Sequence, residues 1–145
     1  MALASGLLLL QPPAARASCT ISVATGVAFG PYNVFSSTPL DSTGQVSYQC
    51  TRGTTPAVSI TLTRGSSATY LPRTLLDGAQ VLDYNLYLDA ARTTVWGDGS
   101  TGTQAYFGTY PGTGRVAVSL YGQVFAGQDA AVGSYTDTVT VVINF

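Results

Sequence analysis

Seven carboxylates and two cysteines are the groups in this 145-residue sequence that could do chemistry, and their types narrow that chemistry at once. All six cations are Arg, all seven acids are Asp, and His, Lys and Glu are absent. A Ser/His/Asp or Cys/His nucleophile system needs an imidazole to move its proton, and the chain has none. What remains is a pair of Asp residues working as acid and base on a glycosidic bond. Asp83 and Asp89 in "VLDYNLYLD" fall on the face of a strand expected to look outward, where a carboxylate is ordinarily just solvated. Asp77 in "LLDGAQ" and Asp98 in "WGDGSTG" each precede Gly, which is turn chemistry. Asp98 could also ligate calcium, but a cage of several oxygens needs more than the one carboxylate nearby. No catalytic residue, metal site or cofactor is expected, and the chain reads as something other than an enzyme.

The cysteines take their meaning from the N-terminus. "MALASGLLLL" supplies an apolar run and "AARA" the small residues that precede a cleavage site, so residues 1–17 are expected to be a signal peptide and 18–145 the mature domain. No Lys or Arg precedes the apolar run, which leaves open a start further upstream. The run falls short of the ~20 apolar residues of a membrane span. A lipid anchor at Cys19 is the alternative, although Arg16 stands where such signals carry an aliphatic residue. In an oxidising compartment an even pair of cysteines forms a disulfide, so Cys19 and Cys50 are expected to be bridged, with two buried free thiols as the other reading.

These groups must be positioned by strands. Charged residues make up 9% of the chain, and the usual polar helix formers are nearly missing, so an all-β domain is the default. "AVSITLT" sets Val58, Ile60 and Leu62 against Ser59, Thr61 and Thr63; "VLDYNLYLD" sets Leu82, Tyr84, Leu86 and Leu88 against Asp83, Asn85, Tyr87 and Asp89. "GRVAVSLYGQV" alternates in the same way, and "CTISV", "VAFG" and "GQVSYQC" read as shorter strands. Six or so strands separated by Gly, Ser, Thr and Pro argue a β-sandwich. A formal charge of -1 gives no footprint for nucleic acid.

The last strand raises a question of its own. In "GSYTDTVTVVINF", Tyr135, Val139, Val141, Ile143 and Phe145 point one way and Thr136, Thr138, Thr140 and Asn144 the other. A strand this apolar, with no successor to pair with it, leaves an open edge and an open core face. Four or five wet side chains forfeit about 1.5–3 kcal/mol each, against a usual domain margin of roughly 5–15 kcal/mol. Something from outside is expected to fill the gap.

Three ordered blocks, "CTISVATGVAFGPYNVFSSTPLDSTGQVSYQC", "LDYNLYLDAARTTVWGDGS" and "YGQVFAGQDAAVGSYTDTVTVVINF", resemble the spore coat protein U domain, which is shared with the Csu-type pilin subunits of archaic chaperone-usher pili. The resemblance implies an incomplete immunoglobulin-like β-sandwich that lacks its seventh strand. A periplasmic chaperone would lend that strand, and after passage through an outer-membrane usher the N-terminal extension of a neighbouring pilus subunit would replace it, by β-augmentation. Carried onto this chain, the strand-acceptor groove would be lined by Tyr135, Val139, Val141, Ile143 and Phe145. One departure from the pilin pattern is visible. After cleavage only Ser18 would precede Cys19, too little to donate a strand, so the expectation is a tip or adhesin-like subunit, secreted through the periplasm to the cell surface.

Receptor contact is a further expectation, because Trp96, Tyr106, Phe107 and Tyr110 fall in or near the Gly-rich "WGDGSTGTQAYFGTYPGTG". The alternative is that Trp96 and Phe107 pack beneath that loop. Arg73 in "YLPRTLL" is expected either to pair with an Asp or to lie on the surface. Two other functional readings stay open: a spore or cell-surface coat protein that assembles without an usher, and a self-contained secreted carbohydrate-binding domain.

Overall fold

The computed structural model describes residues 16–145; the leader expected over 1–17 lies outside the described residues except for its last two. The described chain is all β, with no helix. Its strands are β1 (Cys19–Thr25), β2 (Leu40–Cys50), β3 (Ala57–Leu62), β4 (Arg73–Asp77), β5 (Gln80–Tyr87), β6 (Tyr106–Thr109), β7 (Val116–Val124) and β8 (Val141–Asn144). They form two packed sheets of an immunoglobulin-like sandwich, one of five strands in the order β1-β2-β7-β5-β4 and one of three in the order β6-β3-β8. Every named pairing is antiparallel.

The alternations place the core as the sequence suggests, except on β5, where Asn85 and Tyr87, expected on the outward face, are buried as well. Val58, Ile60 and Leu62 from β3 meet Val46 and Tyr48 from β2, Val118, Leu120 and Val124 from β7, and Leu82, Tyr84 and Leu86 from β5. Side chains alternate between the two faces of a strand, so each contributes every second residue to the space between the sheets. Cys19 stands opposite Cys50 in the β1–β2 ladder, and the two form the expected disulfide. The bridge spans 31 residues of sequence, for which loop-closure entropy gives about 3.5 kcal/mol. Replacing both cysteines with Ala is therefore expected to lower the thermal midpoint by roughly 10 °C, measured by circular dichroism under non-reducing conditions. An unchanged midpoint would mean that the bridge adds nothing to the β1–β2 ladder.

Three local expectations are corrected. The count of six or so strands falls two short, because the short edge strands β4 and β6 were not separable from loop. "VAFG" is not a strand: Val27 and Phe29 alternate inward, but no neighbour pairs with that backbone. Arg73 is neither paired with an Asp nor on the surface. It has no exposure, and its guanidinium donates to the Thr63 carbonyl from Nε and Nη2, to the Trp96 carbonyl at 2.7 Å and to Asn85 Oδ1 at 3.0 Å. It also lies 5.0 Å from the centre of the Tyr70 ring. Burial pulls its pKa down, and the neighbouring Tyr and Asp side chains hold it up.

Candidate strand-acceptor groove

Five strands cannot be covered by three, and the uncovered part lies on one side. β1 is an edge of the five-stranded sheet and β8 an edge of the three-stranded one. Between them opens a cavity of about 300 Å³, walled by Ala24–Val27 and Phe29 on one side and by Asp137–Val139 and Val141 on the other. Its floor is core: Val46, Leu62, Leu75, Leu86 and Leu120. A second cavity of about 330 Å³ continues it, sharing Val27, Phe29, Leu75 and Asp137 and adding Tyr32 and Tyr135. Together they make one long cleft, lined mainly by apolar side chains in the first cavity and by apolar and polar groups alike in the second.

Two glycines explain how the first wall is held. Gly44 of β2 and Gly122 of β7 both face inward and leave a patch of bare sheet. A Cβ on Gly44 would strike the Thr25 carbonyl, and one on Gly122 would come within 2.6 Å of Val27 Cγ1 and 2.8 Å of the Phe29 ring. The chain leaving β1 therefore crosses the inner face of the sheet where side chains are missing. Phe29 ends edge-on to Tyr84, ring centres 6.0 Å apart. Beyond it the Tyr32 hydroxyl pins the wall, donating to the Phe125 carbonyl and accepting from the Gln128 amide, both at 2.9 Å.

The opposite wall is the last segment of the chain. Its ladder is short: β8 pairs with β3 from Val141 opposite Leu62 to Asn144 opposite Ser59. Upstream, Thr136 exchanges two backbone hydrogen bonds with Leu76 of β4, and the Thr63 amide donates to the Thr140 carbonyl while the Thr140 amide donates to the Thr63 hydroxyl. Along this segment the inward positions are Tyr135, Asp137, Val139, Val141 and Ile143, all half-buried instead of sealed.

The structure brings together most of the residues the sequence singled out for this groove. Val139 and Val141 line the first cavity and Tyr135 the second. Ile143 packs against the core opposite Ile60 without lining either. Phe145 is not brought to the groove; beyond the end of the ladder it stands 56% exposed, in a surface depression with Phe107. Two contributors were missed. The wall at Ala24–Phe29 carries a legible alternation, but its place depends on the distant Gly44 and Gly122. Asp137 interrupts the apolar series of the last strand, and that break was its only signal.

The aromatic loop does not present a contact surface as a whole. Trp96 and Tyr110 have no exposure; the Trp96 indole donates to the Ile60 carbonyl and the Tyr110 hydroxyl to the Gly114 carbonyl. Tyr106 turns inward towards Trp96 and Tyr48. Phe107, next along β6, turns outward and is 77% exposed, so it alone of the four is offered to solvent. Two of the carboxylates that the sequence singled out, Asp89 and Asp98, serve the backbone of their own turns. Asp89 accepts from the Thr93 and Thr94 amides, and Asp98 is held below its usual pKa by the Ser100 hydroxyl and amide. Among the described residues no three Asp or Cys side chains gather where a cation could sit.

Comparison with known proteins agrees with the fold. The Spore Coat Protein U domain family matches residues 4–142. Protein U of Myxococcus xanthus is 34% identical over an alignment 143 positions long, gaps included, that takes in 88% of this chain and 78% of that protein. A chain in the crystal structure of the chaperone–tip adhesion subunit pre-assembly complex from the archaic chaperone-usher Csu pili of Acinetobacter baumannii superposes with a TM-score of 0.62 at 21% identity, a likeness of fold. That match covers 90% of this chain but 40% of the neighbour's length.

Proposed function

This chain belongs to the Spore Coat Protein U domain family, and on that premise we propose that it is a structural subunit of a chaperone-usher surface fibre, completed by a β-strand that another polypeptide donates. The observation that carries the reading is the cleft between the free edges of β1 and β8. A strand laid there could hydrogen-bond to an open edge and bury alternate side chains on the exposed floor, satisfying backbone and core together. The donor is first a periplasmic chaperone and then a neighbouring subunit, with assembly through an outer-membrane usher. Residues 1–17 serve as the export signal and 18–145 as the fibre domain. The role is structural and not enzymatic. Placement at the fibre tip is the finer part of the proposal, supported by the tip subunit named in the similar structure.

The test is to express the chain in a bacterial periplasm, alone and with the chaperone encoded nearest its gene, and to measure soluble yield and mass on a sizing column. Recovery only as a one-to-one complex is expected. A stable monomer made alone would overturn the reading in favour of a self-contained secreted domain. A second reading, a coat protein that fills the same groove from another copy without an usher, is favoured by the family's name and by the Protein U relative. Homo-oligomers formed without chaperone would select it.

A further inference from the structure

Among the described residues that line the two cavities, one side chain is charged. Asp137 is the second of the five inward positions on the last segment, and it lies where the two cavities meet. Its Oδ1 accepts from the Ser66 and Thr138 amides at 2.7 and 2.8 Å, and its Oδ2 from the Tyr84 hydroxyl at 2.6 Å. A carboxylate has about four acceptor sites, so one remains on Oδ2. No cation is paired with it: among the described residues the one ion pair joins Arg92 to Asp41, and the donors of buried Arg73 go to Thr63, Trp96 and Asn85.

An Asp in this position is at ease while the groove is wet. Once a strand covers it, water leaves, and an ionised carboxylate with unfilled acceptor capacity in an apolar cleft is strongly disfavoured. An all-apolar donor therefore pairs badly with this groove, and an acidic one worse. We propose that Asp137 is a specificity determinant of the acceptor groove: the strand that fills it carries a hydrogen-bond donor, best a Lys or Arg, at the inward position facing Asp137, and apolar residues at its other inward positions. The inference rests on reading the cleft as a strand acceptor.

It also fixes a register. Inward positions recur every two residues, and Tyr135 to Ile143 spans nine. In a nine-residue donor parallel to β8 the polar residue is therefore the third; in an antiparallel donor it is the seventh.

The test appends nine-residue alternating strands to the C-terminus of the full chain through a flexible Gly/Ser linker of about fifteen residues, long enough to return along β8 in either direction. Inward positions are Val or Ile, with Val, Ser, Lys or Asp placed at the third or the seventh, and thermal midpoints are compared. Lys or Ser at one of the two positions, and not at the other, is expected to raise the midpoint by about 5 °C over Val there, with Asp lowering it. In the Tyr84→Phe, Asp137→Val background the order should invert, Val becoming best. If strands stabilise the domain whatever that residue is, the role of Asp137 is overturned and the acceptor reading stands. If no appended strand stabilises it, both fall.

Discussion

Val141→Asp is expected to leave no recoverable domain, with or without a chaperone, while Val142→Asp one residue away is recovered at close to the parent yield. The two positions share a strand, a hydropathy and a ladder, and differ in the face they present. Val141 stands opposite Leu62 and lines the cleft with Val46, Leu86 and Leu120. A carboxylate there meets no cation in the cavity lining and shares it with the carboxylate of Asp137, and an unpaired charge of this kind costs several kcal/mol, much of a margin of roughly 5–15 kcal/mol. The same charge also meets any strand that enters, so capture fails even where some folded domain survives. Val142 lies on the outer face opposite Thr61 and is 41% exposed. An Asp there loses some β propensity, about 1 kcal/mol at most. Periplasmic yield and co-purified chaperone, measured for both variants, decide the matter. Equal recovery would remove β8 from the groove wall.

How much of this was legible follows from where each determinant lies in sequence. Val58, Ile60 and Leu62, or Val116, Val118 and Leu120, announce their faces within a single strand, because alternation is a local property. The open side of the sandwich was legible for the same reason, since the last strand is apolar on one face over nearly its whole length. The opposite wall was not, because Thr25 and Gly26 are placed by Gly44, and Val27 and Phe29 by Gly122, each on another strand. The aromatics near "WGDGSTGTQAYFGTY" show the limit most plainly. Tyr106 and Phe107 are adjacent and similar, and only the pairing of Phe107 with Ser59 and of Tyr106 with Ile60 sends one out and the other in. Flanking Gly and Thr carry no alternation from which that register could be read.

Arg73→Ala is expected to be as damaging as an ordinary large core truncation, about 4 kcal/mol, although a lone Arg in a short apolar run reads as a surface residue. The guanidinium ties three remote pieces of chain: Thr63 after β3, Trp96, and Asn85 of β5. Removing it leaves two carbonyls and an amide oxygen facing a void from which water is excluded, and each unsatisfied acceptor carries a desolvation penalty of about 1–3 kcal/mol. Lys in its place brings one ammonium to acceptors arranged for a planar fork and is expected to recover part of the loss. Met restores the stem's packing without any donor, so it should fall between Lys and Ala. The consequence reaches the groove, because Thr63 donates its amide to the Thr140 carbonyl and receives the Thr140 amide on its hydroxyl. With Arg73 gone, the carbonyl of Thr63 loses its anchor, and the Thr63–Thr140 tie that holds the last segment just before β8 loosens. Denaturant unfolding should rank the variants parent, Lys, Met, Ala, and hydrogen exchange at the Thr140 amide should quicken in the same order. If Met matched the parent in both, packing alone would hold this junction, and the wall of the groove would owe nothing to the buried charge.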